Sequence, residues 1–188
     1  NGAGKTTSVK MLLSLTWPTA GTATLLGRPL GDRQVRARVG FLPEHFRFHE
    51  WLTAAEFLEM CAHFQKCSTS GIPGLLELTG LAKAKNRKLG AFSRGMKQRL
   101  GIAQALVNDP VVLILDEPVS ALDPMGRKDI LDMLASFRGE KTVFFSTHIL
   151  SDVERICDHA AIINEGKLVL DGSIEDISKL GGSSRIIL

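Results

Sequence analysis

Residues 2 to 6 read Gly2-Ala3-Gly4-Lys5-Thr6, two glycines, a lysine and a hydroxyl in five positions. They match the second half of the phosphate-loop pattern G-x-x-x-x-G-K-[ST], whose first glycine would stand upstream of position 1. The chemistry of that pattern is the cradling of polyphosphate. Glycines free backbone N–H groups to point at phosphate oxygens, and a helix N-terminus behind them adds partial positive charge. Lys5 then reaches the β- and γ-phosphates, and the Thr6 hydroxyl takes Mg²⁺. A glycine turn that merely caps a helix would carry the same residues. A second pair weighs against that: Asp116-Glu117 directly follows the apolar run Val111 to Leu115. A buried strand ending in two carboxylates delivers them to the carboxyl edge of a sheet, where ligands bind in open α/β folds. There Asp116 would hold Mg²⁺ through its water shell, and Glu117 would orient or deprotonate the water that attacks the γ-phosphate. A surface turn after a strand also tolerates Asp-Glu, so the weight comes from its occurring together with the lysine loop.

Such residues meet only if the chain between them folds to bring them together. The loop runs into a helix expected over Thr6 to Leu15 and broken at Trp17-Pro18. Ala23 to Leu26 and Val39 to Leu42 read as short strands. Thr53-Ala-Ala-Glu56 is a capping box, followed at helical spacing by Phe57, Leu58, Cys61 and Phe64. Further helices are expected near Pro73 to Leu78 and from Arg94 to Leu106, which makes residues 52–106 mainly helical. The continuous apolar run before Asp116 suits a strand buried on both faces. Asp123 then caps a helix whose first residue is Pro124, where a missing N–H is harmless. A strand at Val143 to Phe145, a helix at Leu150 to Cys157, a hairpin of Ala160 to Asn164 with Lys167 to Leu170, and a last helix from Ser173 complete the chain. This alternation implies an α/β fold with a largely parallel sheet, interrupted by the helical stretch as an inserted subdomain.

Composition bounds the function classes. A chain of 188 residues, 44% hydrophobic and 23% charged, has enough apolar surface for one packed domain and lies far from the signature of disorder. No apolar run approaches the roughly 18 residues of a membrane-spanning helix. The start, Asn-Gly rather than Met and a charged-then-apolar stretch, reads as cut, with no targeting segment visible. Cys61, Cys67 and Cys157 are an odd set without a C-x-x-C pair, which points away from disulfides and toward a reducing compartment. With His45, His49 and His63 they match no zinc spacing, so packing is the expected role of the cysteines. Charge is uneven: Lys83, Lys85, Arg87, Lys88, Arg94, Lys97 and Arg99 fall between Leu78 and Asn108, where no Asp or Glu occurs. A solvated face, phosphate, acidic lipid headgroups or nucleic acid would each account for such a stretch.

Ser93-Arg94-Gly95-Met96-Lys97-Gln98-Arg99 resembles the signature motif of the ABC-type ATPases. The resemblance then extends along almost the whole chain. Six motifs stand in the family's order: the phosphate loop at Asn1 to Thr7, a glutamine-loop equivalent at Phe41-Leu42-Pro43-Glu44, the signature at Phe92 to Met96, Asp116-Glu117, a D-loop at Ser120 to Asp123, and a switch histidine in Ser146-Thr147-His148. The resemblance implies a P-loop NTPase fold with an inserted helical subdomain at about 52–106. It also implies that a strand and the loop's first glycine precede Asn1. By the same resemblance Asn1, Gly2, Ala3, Gly4, Lys5, Thr6 and Thr7 bind ATP. Ser93 and Gly95 would meet the γ-phosphate held by an opposite subunit, and Asp123 would lie at the dimer contact. His148 would hydrogen-bond the γ-phosphate beside Glu117, the catalytic base.

Two departures from the family pattern are informative. Glu44 stands where the family has glutamine, placing a second carboxylate where Mg²⁺ is sensed; a hard oxygen can still serve that ion. The signature reads Phe-Ser-Arg-Gly-Met, keeping the serine and the second glycine. Both variants are similar to the single-domain branch that powers export of drugs, polysaccharides or ions. The implied function is an ATP-hydrolysing subunit, working as a homodimer with an integral membrane permease on the cytoplasmic face of the cell membrane and not with nucleic acid. The rival is a soluble ABC ATPase acting on ribosomes or DNA through the basic stretch.

Overall fold

A computed structural model describes residues 2–120 and 122–181. Asn1 and Ala121, each part of an expected motif, lie outside the described residues. The elements run α1 (Lys5–Leu12), β1 (Thr24–Leu25), β2 (Arg28–Pro29), α2 (Arg33–Arg36), β3 (Val39–Leu42), α3 (Ala54–Gln65), α4 (Ile72–Leu78), α5 (Arg94–Leu106), β4 (Val112–Asp116), α6 (Pro124–Ser136), β5 (Thr142–Ser146), α7 (Leu150–Ile156), β6 (His159–Asn164), β7 (Lys167–Ser173) and α8 (Ile174–Gly181).

The parallel sheet β3-β4-β5 is built around β4, which is buried at every position. Side chains alternate across a strand, so β4 feeds two layers at once. Val112 and Ile114 pack with Val9 of α1 on one face. Leu113 and Leu115 pack with Ile102 and Leu106 of α5 and with Ile130, Leu131 and Leu134 of α6 on the other. An unbroken apolar run is what a strand covered on both faces requires. The register sets Leu42 beside Leu115 and Asp116 beside Ser146, so the three carboxyl ends lie together. Helix α5 presses close to β3: a Cβ on Gly40 would stand 2.0 Å from the carbonyl oxygen of Ala105.

Residues of α3, α4 and α5 carry a second apolar cluster, with Leu58, Leu76, Leu81, Leu89 and Leu100 at its centre. Helix α5 belongs to both clusters, giving Leu100 and Ala103 to the helices and Ile102 and Leu106 to the sheet. The capping box expected at the start of α3 is present: Glu56 N–H donates to the Thr53 hydroxyl (3.3 Å) and Thr53 N–H to Oε2 of Glu56 (2.8 Å).

Several elements differ from their sequence outlines. Helix α1 stops at Leu12, three residues early, and Ser14 takes a left-handed conformation (φ 56°). The strand expected at Ala23–Leu26 shrinks to two residues, turning through Leu26 and Gly27, both at positive φ, to pair with Arg28–Pro29. Phe64 is seven residues after Phe57 and so on the same face of α3, yet it is 79% exposed. Asp123 holds the N-cap position of α6 with extended backbone, but its side chain makes no capping hydrogen bond. No described helix is long and apolar enough to cross a membrane.

Candidate functional site

The loop ahead of α1 turns on Gly2 (φ 88°) and Gly4 (φ 103°), conformations open to glycine and strained for side-chain residues. Gly4 is the N-cap, and neither a capping side chain nor an acidic first-turn residue occupies the end of α1. The first N–H groups are therefore left for an external acceptor, and the helix favours an anion there. Ser8 anchors the turn, donating N–H (2.9 Å) and Oγ–H (3.1 Å) to the Gly4 carbonyl. From the far end of the chain the β6–β7 turn braces the loop, as Gly166 N–H donates to the Ala3 carbonyl at 2.9 Å.

Above the loop lies a cleft of about 310 Å³ lined by Gly2, Ala3, Gly4, Lys5, Thr6 and Thr7 together with Glu44 and Glu117. Residues from three distant parts of the sequence thus share one wall. Glu44 follows β3, and Glu117 follows β4, two neighbours in the sheet whose carboxyl ends open on this side. Glu117 is 6% exposed and adopts φ 51°, a backbone turn out of the strand that is unfavourable for a residue with a side chain. Its Oε1 lies 3.6 Å from Nζ of Lys5 and its Oε2 3.0 Å from Nδ1 of His148.

Asp116 sits behind this pair, 1% exposed. Its Oδ1 accepts the Ser146 hydroxyl at 2.5 Å, while Ser146 Oγ accepts Glu117 N–H at 3.0 Å. Ser146 is the residue that sequence reading passed over, noted only as the neighbour of His148. The signal for its role was tertiary, the β4–β5 register that sets it opposite Asp116. Thr6, Asp116 and Glu44 offer only hydroxyl and carboxylate oxygens, the donor chemistry that suits Mg²⁺.

Ser93, Gly95 and Asp123 do not line this cleft. Ser93 caps α5, its Oγ accepting Met96 N–H at 3.2 Å, on an exposed face. A Cβ on Gly95 would stand 3.6 Å from Cδ2 of Leu122, so the signature approaches the segment that leads to Asp123. Farther along, Arg127 of α6 donates through Nε to the buried Asp152 carboxylate of α7 (2.8 Å), tying the helix after Asp123 to the helix after His148. Cysteine and histidine side chains away from the cleft make local contacts, as expected of packing residues: the Cys67 thiol faces the Ala62 and Val107 carbonyls, and Nδ1 of His63 lies 2.7 Å from the Glu59 carbonyl.

Comparison with known proteins agrees with this geometry. The family model described as "ABC transporter" matches residues 1–120. An uncharacterized ABC transporter ATP-binding protein of Nostoc sp. is 47% identical over 184 residues, covering 94% of this chain and 55% of that protein. The bacitracin transport ATP-binding protein BcrA of Enterococcus faecalis is 41% identical over 95% of this chain and 60% of its own length. Nod factor export ATP-binding protein I of Burkholderia lata is 41% identical over 92% of this chain and 59% of its length. The chain therefore spans little more than half the length of the relatives it matches. A solved structure of the ATP-binding subunit of an ABC transporter superposes with a TM-score of 0.83 at 31% identity, over 97% of this chain and 79% of that one. The glycine-lysine loop, the carboxylate pair at the end of β4 and the family match over the first 120 residues lead to one conclusion: this chain belongs to the ABC transporter family, among its ATP-binding proteins.

Proposed function

We propose that the chain is the ATP-hydrolysing part of an exporter, in which ATP closes a head-to-tail pair of subunits and hydrolysis reopens it. The observation that carries this reading is the placement of Glu117, held between Lys5 and His148 at the mouth of the phosphate cleft. Loop N–H groups from Gly2 to Thr7 and the ammonium of Lys5 take the phosphate oxygens of ATP. Glu117 accepts a proton from the attacking water, and His148 fixes the orientation of both that carboxylate and the γ-phosphate. Thr6, Asp116 and Glu44 would hold Mg²⁺, which when bound neutralises phosphate charge. The Ser146 hydroxyl orients Asp116 for that task.

Ser93 and Gly95, outside the cleft, serve the nucleotide of a second copy of the subunit, and Asp123 lies at the contact between the two. Residues 52–106 act as a helical unit inserted in an α/β core. The apolar and aromatic stretch from Phe46 to Trp51 is the candidate contact with a membrane permease, and only part of it is open to one. Phe46, Phe48 and Phe57 stack edge to face in sequence (4.7 and 4.9 Å) and pack against the two clusters. Trp51 remains 68% exposed. Export is supported by relatives whose names refer to bacitracin transport and Nod factor export, and a permease partner on the cytoplasmic face of the membrane follows from that reading. The direct test is steady-state ATP hydrolysis by the complete protein with and without a co-purified membrane permease. Absence of ATP binding by the complete protein would sink the reading.

A further inference from the structure

The basic segment ahead of the signature is the motif that nucleotide chemistry leaves unused. Lys83, Lys85, Arg87 and Lys88 put four cations in six residues, all of them exposed. Several cations elsewhere are matched: Arg28, Arg99, Arg127, Arg138, Lys141 and Arg155 each face a carboxylate. Among the described residues Lys83, Lys85, Arg87 and Lys88 have no carboxylate within 4.0 Å, and Arg87 donates instead to the backbone carbonyl of Ala91. Glu56, the acid nearest Lys88 in effect, is engaged by Thr53 in the capping box.

The segment is pinned rather than loose. Ala55 N–H donates to the Lys85 carbonyl (3.0 Å), Leu89 N–H to Leu52 (2.8 Å) and Gly90 N–H to Glu50 (3.0 Å), with Thr53 and Lys88 forming a bridge between the two stretches. This pairing runs the end of the basic segment, at Lys88, along the stretch that carries Trp51, whose exposed ring lies 4.8 Å from that of His49. Like charges fixed side by side repel one another, and an anionic partner relieves that repulsion.

We propose that this surface docks on the anionic lipid headgroups of a membrane, with Trp51 marking its border with the permease. The inference rests on the reading of the chain as a permease-bound subunit and extends it to direct lipid contact. Two observations favour lipid over nucleic acid. The only aromatic residue between Leu78 and Asn108, Phe92, is 6% exposed, which leaves no stacking platform for bases inside the segment. The exposed aromatic beside it is tryptophan, the residue that settles at membrane–water interfaces, and clustered Lys and Arg there read as a site for acidic lipid.

The test is flotation of the complete protein with phosphatidylcholine vesicles and with vesicles carrying about 30% phosphatidylglycerol, at low and physiological salt. The comparison is the variant Lys83→Gln, Lys85→Gln, Arg87→Gln, Lys88→Gln, with ATP affinity and melting temperature measured on the same samples. The expected result is binding to the acidic vesicles alone, weakened by salt and reduced roughly tenfold or more in the variant, with ATP affinity and melting unchanged. Equal binding to both vesicle types, or unaltered binding by the variant, would overturn the proposal. So would tighter, steeply salt-dependent binding to RNA or duplex DNA, which would hand the surface to nucleic acid. Wild-type protein that floats with acidic vesicles but fails to bind ATP would keep the lipid surface and remove the nucleotide reading.

Discussion

Nδ1 of His148 lies 3.0 Å from Oε2 of Glu117, while the other oxygen of that carboxylate lies 3.6 Å from Nζ of Lys5. Residues from the first helix and from the loop after β5 therefore orient one carboxylate from two sides. A base held this way is useful if its charge, and not only its shape, matters to the reaction. Glu117→Gln keeps the shape and removes the charge. Turnover is expected to fall at least about a hundredfold, the scale of losing a positioned general base, with ATP binding retained and an ATP-bound dimer accumulating. Hydrolysis within a few-fold of wild type would take Glu117 out of the base role.

His148→Ala removes the second of those two contacts and leaves Lys5 in place. Because Lys5 and the loop from Gly2 to Thr7, which line the cleft, stay intact, ATP affinity should change little while turnover falls by about ten- to a hundredfold. Nucleotide titration and single-turnover hydrolysis separate the two quantities. A loss of affinity as large as the loss of rate would make His148 a binding residue instead.

Glu44→Gln restores the side chain common in the family and removes one of two carboxylates from a cleft whose lining holds a single cation, Lys5. Basal hydrolysis should survive, with its stimulation by the permease altered. Loss of basal hydrolysis together with weakened Mg²⁺ dependence would show that Glu44 is an indispensable metal ligand.

Gly40→Ala tests the packing of α5 on the sheet. The new methyl would meet the Ala105 carbonyl oxygen at 2.0 Å and Cδ2 of Leu113 at 2.9 Å, a clash with backbone that no rotamer relieves. Overpacking of this kind destabilises by about 1–3 kcal/mol or more, and denaturant unfolding should show a lower midpoint. An unchanged midpoint would mean that α5 can move away from β3 without loss.

Burial pushes the thiols of Cys61 and Cys157 up to about 11. The folded state holds both as neutral thiols, and only the thiolate is nucleophilic, so alkylation by iodoacetamide near pH 8.5 should run about a hundredfold slower than in the unfolded chain. Rates should rise about tenfold per pH unit and level off only near pH 11. Mass spectrometry of the labelled peptides reads this directly, and labelling at the unfolded rate would show that these sites open readily.

The local structure around the candidate site was legible in the sequence wherever a short run of residues sets its own geometry. Gly2 to Thr6 specifies a loop and the helix behind it, Ser93 specifies the cap of α5, and Val111 to Leu115 with Asp116-Glu117 specifies a doubly buried strand ending in acid. The capping box at Thr53 is of the same kind, since its hydrogen bonds close within one turn. Tertiary structure decided what depends on register and burial between distant segments. Pairing of β4 with β5 makes Ser146 the bridge between Asp116 and Glu117, a role that periodicity along one strand cannot carry. Phe64 is exposed although the pattern of α3 sets it on the face of the buried Phe57, and the packing of Phe46 on Phe48 and Phe48 on Phe57 turns part of the candidate contact stretch inward. Local propensity acts over a few residues, whereas burial is a property of everything that surrounds a side chain. That is why the site's residue types could be read from the sequence and their mutual contacts required the fold.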